Sequence, residues 1–404
     1  VTSPAAAPAV GFVRSRLGGL PRAFWVLWTG SLVNRLGTMV LPFLSLYLTS
    51  GRQLSVATAG EILALLGVGQ MFSQLIGGVL ADRFGRRVAL TGGMVGTGAV
   101  MIGLGYVESL ALIAAFALLL GLVVDMFRPA VQAIVADMVP DGDRPRAFGL
   151  LIWAINIGFS VAMVLGGTLA GAGFHTLFWV DALTCVAFGL LVWRAVPETR
   201  VAVRERDRGG FAEVLRDRVM LGFLVVVLAA AFVFLQCLST LPLAMRSNGL
   251  PPSAYGIVMA VNGIVIVLVQ PLLGNRLGRW DHSWVLAGGI VVLGLGFGAT
   301  ALAGGTPAYA ATVAVWTLGE IVFHSMAATV VNDLAPAHLR GRYNGAYGTA
   351  WGVAAFVAPL GGTMLLSVGA PVLWSTCLVV CLLAAAGQLV LAPAARRRRN
   401  AGES

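Results

Sequence analysis

Long apolar runs alternate with short polar breaks along this chain, and the runs set its architecture. A helix needs roughly 20 apolar residues to cross a bilayer core of about 30 Å, and twelve stretches reach that length. They cover residues 23–48, 55–80, 88–107, 110–136, 147–172 and 176–195, then 219–246, 254–275, 284–304, 308–331, 343–367 and 370–393. The runs are apolar on every face, whereas barrel strands alternate apolar and polar positions, so the pattern predicts helices throughout.

The longest polar break, "RAVPETRVAVRERDRGGFAEVLRDR" at 194–218, divides the spans six and six. The expected organisation is a tail over 1–22, a six-helix bundle over 23–195, a linker over 196–218, a second bundle over 219–393 and a basic tail over 394–404. The first 22 residues, with Arg14, Arg16 and Arg22, contain no short apolar segment followed by a cleavage site and read as a tail rather than a secretory signal.

Charge orients the spans, because loops left in the cytoplasm carry an excess of basic residues. All 27 basic residues are Arg, and with the N-terminus inside, 23 of them fall on the cytoplasmic side. Only Arg52 and Arg246 fall outside; Arg35 and Arg128 lie within spans. Both termini are therefore expected in the cytoplasm, with the chain in a bacterial-type inner membrane. The net charge of +10 is a signal of topology and of contact with lipid headgroups, and nucleic acid is not an expected partner.

An internal repeat supports two halves. "FRPAVQAIVADMVPDGDRPRAFGLLIWAINIGFSVAMVLGGT" at 127–168 aligns with "FHSMAATVVNDLAPAHLRGRYNGAYGTAWGVAAFVAPLGGT" at 323–363. Asp137 falls on Asp333, Pro140 on Pro336, and Arg144 and Arg146 on Arg340 and Arg342. The fold class expected is an all-α membrane protein, twelve transmembrane helices in two pseudo-symmetric six-helix bundles. Such parallel halves place a substrate site between them near the bilayer midplane.

The loop after the second span reads "GGVLADRFGRR", and in it Gly78, Asp82, Arg83, Gly85, Arg86 and Arg87 resemble the signature loop of the major facilitator superfamily. The corresponding loop of the second half, "LLGNRLGRW", keeps Arg276, Gly278 and Arg279 with Asn275 in place of the acid. Physically, Gly85 permits a sharp turn and Gly78 a close helix approach. The resemblance implies that Asp82 faces the start of helix eleven around Tyr343 and that Arg86 pairs with Asp137. Both contacts are expected only with the cytoplasmic side closed, as a gate.

Charges inside spans are costly and by default mark function. Arg35 lies in span one beside Asn34. Asp125 and Arg128 lie one turn apart in span four, and Glu320 and His324 share a face of span ten. These five are the expected proton-coupling and central charges, with Glu320, whose helix offers no basic neighbour but His324, the leading proton carrier. Asn34, Trp153, Asn156, Gln236 and Asn262 are candidates to line a mostly apolar substrate cavity, or alternatively to join helices. Glu61 and Asp181 are expected near the outer surface, where water reaches them easily.

The nearest branch by resemblance is the drug:proton antiporters. Span five departs from that branch's pattern, because in "NIGFSVAMVLGG" Met163 stands where the branch has Pro. The chain lacks Lys, which excludes a P-loop, and it has no His-Glu-x-x-His zinc motif. Cys185, Cys237, Cys377 and Cys381 all lie in apolar spans and read as core residues. The expectation is a monomeric secondary transporter with neither metal nor cofactor nor enzymatic activity. It works by alternating access on a small-molecule substrate and protons, and exports small amphiphilic or drug-like molecules. An importer or facilitator for a nutrient is the alternative, and a membrane enzyme or sensor a remote one.

Overall fold

A computed structural model describes residues 19–198, 211–277, 280–336 and 339–402. Arg14, Arg16, linker residues 199–210, Gly278 and Arg279 lie outside these described residues. Among those described there are helices and no strands, and 12 helices are long and apolar enough to cross a membrane. They are α1 (Arg22–Gly51), α2 (Val56–Phe84), α3 (Arg86–Tyr106), α4 (Leu110–Met138), α5 (Arg144–Ala172), α6 (Phe174–Ala195), α7 (Arg218–Ser239), α8 (Pro252–Leu273), α9 (His282–Leu302), α10 (Thr306–Leu334), α11 (Arg340–Val368) and α12 (Ala370–Arg398). The basic tail expected over 394–404 is not a separate segment, because the last helix runs on without a break from Ala370 to Gly402.

Packing repeats when six is added to each helix number. α3 packs on α6 as α9 does on α12, α2 on α4 as α8 on α10, and α1 on α5 and α6 as α7 on α11 and α12. The two sets of six meet chiefly along α2 against α11 and α5 against α8.

Both crossings depend on backbones coming close without side chains between them, since helices in lipid gain association energy mainly from close packing. A Cβ on Gly67 of α2 would collide with the Ala355 carbonyl of α11, and one on Gly60 with Thr363. Pro359 has no N–H to bond Ala355, which leaves that carbonyl free to take the approach of Gly67. On the other seam Gly256 of α8 faces the Met163 carbonyl of α5, and Gly263 faces Ser160.

These contacts are confined to one end of the molecule. Along α2 the stripe Gly60, Gly67, Met71 continues at helical spacing to Gly78 and Asp82; nothing lies within 4 Å of a Cβ at Gly78, and Asp82 is exposed. Gly348 and Gly341 of α11 are equally open, one and three turns beyond the Gly352–Met71 contact. On α5 the stripe through Met163, Ser160 and Asn156 passes to exposed Trp153 and open Gly149. The halves therefore touch at the end bearing Arg52 and Arg246 and part toward the end bearing the arginine-rich loops. The touching end is sealed by Arg246 Nη1 on Thr49 Oγ1 at 3.2 Å and by an edge-on Phe43–Tyr255 pair at 5.3 Å.

Candidate transport pathway

Two of the helices beside the parting, α1 and α4, are each broken four residues before a proline. A proline ring clashes with the carbonyl four residues back and offers it no N–H. Pro42 accordingly interrupts α1 at Thr38–Met39, and Pro129 interrupts α4 at Asp125–Met126. Arg35 lies on the last turn before the first break. Asp125 lies at the second, its amide donating to Ser73 Oγ at 3.1 Å and its Oδ1 paired with Arg128 Nε at 2.6 Å.

The amides freed by the break in α1 are taken by a residue expected to be hydrated at the outer surface. Asp181 is 1% exposed, and its Oδ2 accepts from Met39 N at 3.1 Å and Val40 N at 3.0 Å. Its Oδ1 accepts from Cys185 Sγ, and Cys185 Sγ in turn accepts from Asn34 Nδ2 at 3.2 Å. The cause is the break itself: it exposes a helix N-terminus inside the protein, where a carboxylate is a favourable partner. Asn34 is consequently spent on the α1–α6 contact, where it is buried. Glu61, the other acid expected at the surface, is exposed.

Arg35 is half-buried and within electrostatic reach of Arg128, Asp125 and Asp181. Its stem packs against Gly158 of α5, where any side chain would collide with it.

In the second half Glu320 is buried, and Asn262 Nδ2 of α8 donates to its Oε2 at 2.6 Å and to Thr317 Oγ1 at 3.0 Å. Asn262, considered above as cavity lining, is thus the polar partner that Glu320's own helix does not supply. No hydrogen bond or ion pair joins His324 to Glu320 among the described residues. His324 is exposed, stacked on Trp351 of α11 at 5.1 Å and met edge-on by Phe234 of α7 at 5.5 Å, so that three rings form an aromatic wall. Gln236 is buried in the α7–α11 contact, its Nε2 on the Ala358 carbonyl at 3.1 Å and its Oε1 accepting from Thr240 at 2.8 Å. Of the five cavity candidates, Trp153 stands exposed on the parting face and Asn156 is half-buried, its Nδ2 donating to the Ile152 carbonyl at 2.9 Å.

The signature loop divides into two parts. Arg86 forms an ion pair with Asp137 and donates to the Ala133 carbonyl at 3.1 Å. This pair joins α3 to α4 inside one half, so it persists while the halves stand apart, contrary to the expectation that it forms only on closure. Asp82 does not reach Tyr343, whose hydroxyl donates instead to Asp217 at 2.6 Å. Nor does Gly78 support a close approach here; its neighbour Gly77 does, against the Met126 carbonyl at the break in α4. The turn at Gly85 has φ +103, and a side chain there would run into Glu198. That linker acid caps α3, accepting from Arg86 N at 2.7 Å and Arg87 N at 3.3 Å, while the Arg87 guanidinium lies 4.6 Å from the Trp193 ring. Arg83 lies 5.6 Å from the Phe84 ring.

The second half carries the counterpart of the Arg86–Asp137 pair, with His282 Nδ1 of α9 2.6 Å from Asp333 Oδ2 of α10. On the same face Asp217 caps α7 and receives Arg398 at 2.5 and 2.8 Å. Burial opposes its charge, yet the hydrogen bonds from Arg398 and Tyr343 outweigh that and hold its carboxyl at about 2. Among the described residues no group of side chains is fit to hold a metal ion.

This six-plus-six arrangement agrees with a match to the family model described as Major Facilitator Superfamily, over residues 27–359 and 237–404. The chain belongs to that superfamily. It is an integral membrane protein of a transporter family. A "Na(+), Li(+), K(+)/H(+) antiporter" of Planococcus maritimus is 24% identical over 80% of this chain and 84% of its own length. The "Multidrug resistance protein MdtH" of Aeromonas hydrophila is 25% identical over 80% of this chain and 82% of its own. The crystal structure of an auto-inhibited POT family peptide transporter superposes with a TM-score of 0.79 at 18% identity, covering 92% of this chain and 97% of that one. At that identity the superposition speaks for the fold.

Proposed function

We propose that this superfamily member is a proton-coupled exporter of small amphiphilic or drug-like molecules. It acts as a monomer, with the arginine-rich face and both termini in the cytoplasm. The observation that carries the reading is the buried Glu320 held by Asn262, one turn along α10 from His324 in the aromatic wall. A carboxyl within a membrane helix that meets an amide but no cation has a ready way to carry a proton: it can change protonation without breaking an ion pair. On the positive-inside orientation the halves part toward the cytoplasm, which is where an exporter loads. Two relatives bearing antiporter and multidrug-resistance names support exchange and export.

The mechanism follows from the seams. Amphiphile enters between α2, α11, α5 and α8 while the outer seams of Gly67 and Gly256 are closed. Proton movement at Glu320 biases the change to the state open outward, because a ligand shifts a two-state equilibrium only through its unequal affinity for the two states. The test is purified protein in liposomes with an internal pH dye, challenged with a panel of cationic, neutral and anionic amphiphilic dyes. Substrate-dependent proton movement that disappears in Glu320→Gln is expected. Transport that continues unchanged with the pH gradient collapsed would refute the coupling, and accumulation down the opposite direction would favour the importer.

A further inference from the structure

The two arginines at the helix breaks are unequally served. Arg128 is bound to Asp125 through Nε at 2.6 Å, and its side chain is 48% exposed. Asp181, the other acid within electrostatic reach of Arg35, gives Oδ2 to two backbone amides and Oδ1 to Cys185. The guanidinium of Arg35 has five N–H donors, and among the described residues none of them meets an acceptor. Glu320 and His324 belong to the opposite half, and among the described residues neither is bonded to either arginine. Two like charges thus stand near each other with a single ion pair between them, in surroundings where repulsion is poorly screened.

We propose that Arg35 and Arg128 form an anion-binding subsite of the central cavity, and that the substrate is a small amphiphile carrying a carboxylate or comparable oxyanion. The oxyanion takes the free edge of Arg35 and the outer nitrogens of Arg128, a geometry for which planar guanidinium groups are suited. The apolar body lies toward Phe234, His324 and Trp351 of the other half, where flat rings favour an aromatic group. Binding across both halves gives the substrate a different affinity in each conformation. The inference rests on the transporter reading and narrows it to a substrate class.

The test uses the full-length protein in nanodiscs and three probes that share one ring system: 1-naphthoate, 1-naphthamide and 1-naphthylmethylammonium. Equilibrium dialysis should show naphthoate binding about tenfold or more tighter than the other two. Arg35→Gln should lower naphthoate to the level of naphthamide and leave naphthamide unchanged. Arg128→Gln releases Asp125 to face the subsite and should abolish the preference as well, which keeps the test available if Arg35→Gln does not fold. The proposal is overturned if the wild-type chain binds naphthoate no tighter than naphthamide, including no binding at millimolar concentration. It is equally overturned if either folded variant keeps the preference. A naphthoate preference without any transport in liposomes would refute the transporter reading alone; transport of cationic dyes without that preference would refute the subsite alone.

Discussion

Asp181 accepts the Val40 amide at 3.0 Å, and in doing so closes from α6 the gap that Pro42 opens in α1. The relationship predicts a large effect from a small change. Asp181→Ala leaves the Met39 and Val40 amides without partners, at about 1–3 kcal/mol for each buried donor. Asp181→Asn keeps an acceptor oxygen and should lose less. Thermal melts in detergent should therefore order wild type above Asn above Ala; equal melting of wild type and Ala would show that water fills the gap.

Twelve spans and the central division follow from hydropathy and spacing, because lipid demands long apolar helices wherever the chain crosses. The signature loop was legible through resemblance. The Arg86–Asp137 contact was also legible, through resemblance. Asp181 was not: its distance from the start of its span suggests the surface, and only the tertiary placement of the α1 break against α6 makes it internal. Pro42 and Pro129 were the available signals, each marking an unpaired backbone four residues upstream. Asn262 was legible as a residue that lines the cavity or joins helices, but its partner Glu320 was not, since a partner from another helix leaves no periodicity in the sequence.

Asp82 and Arg86 should separate in experiment although they are neighbours in one motif. Arg86 is paired within its half, so Arg86→Ala should lower the melting temperature of the protein in this conformation. Asp82 is exposed and unpartnered among the described residues, so Asp82→Asn should leave melting unchanged. If closure of the arginine-rich end needs this acid at a helix N-terminus, transport should nonetheless fall. Normal transport by Asp82→Asn would reduce the loop to a topological anchor.

The Gly67–Ala355 seam offers a way to shift the conformational balance. Gly67→Leu puts a side chain against the Ala355 carbonyl, so this contact should open in favour of the alternate state. The four native cysteines are buried, which leaves an engineered thiol as a clean reporter. Gly348→Cys on the parted face should react readily with a soluble maleimide, and the added Gly67→Leu should slow that labelling severalfold. Unchanged labelling would mean that the α2–α11 seam does not govern the opening.

Asp217 predicts a pH dependence confined to strong acid. Its carboxyl is held at about 2 against an ordinary 3.8. A group whose folded value is lowered contributes stability that is complete above the unfolded value and is lost as pH falls through the folded one. Asp217→Asn removes that contribution and also unpairs Arg398 and Tyr343. Wild type should therefore melt higher than the variant at neutral pH, and the gap should narrow between about pH 4 and pH 2. Because the pair is partly exposed, added salt should shrink the gap as well. A difference that stays constant across that window would place the role of Asp217 in capping α7 and not in its charge on Arg398.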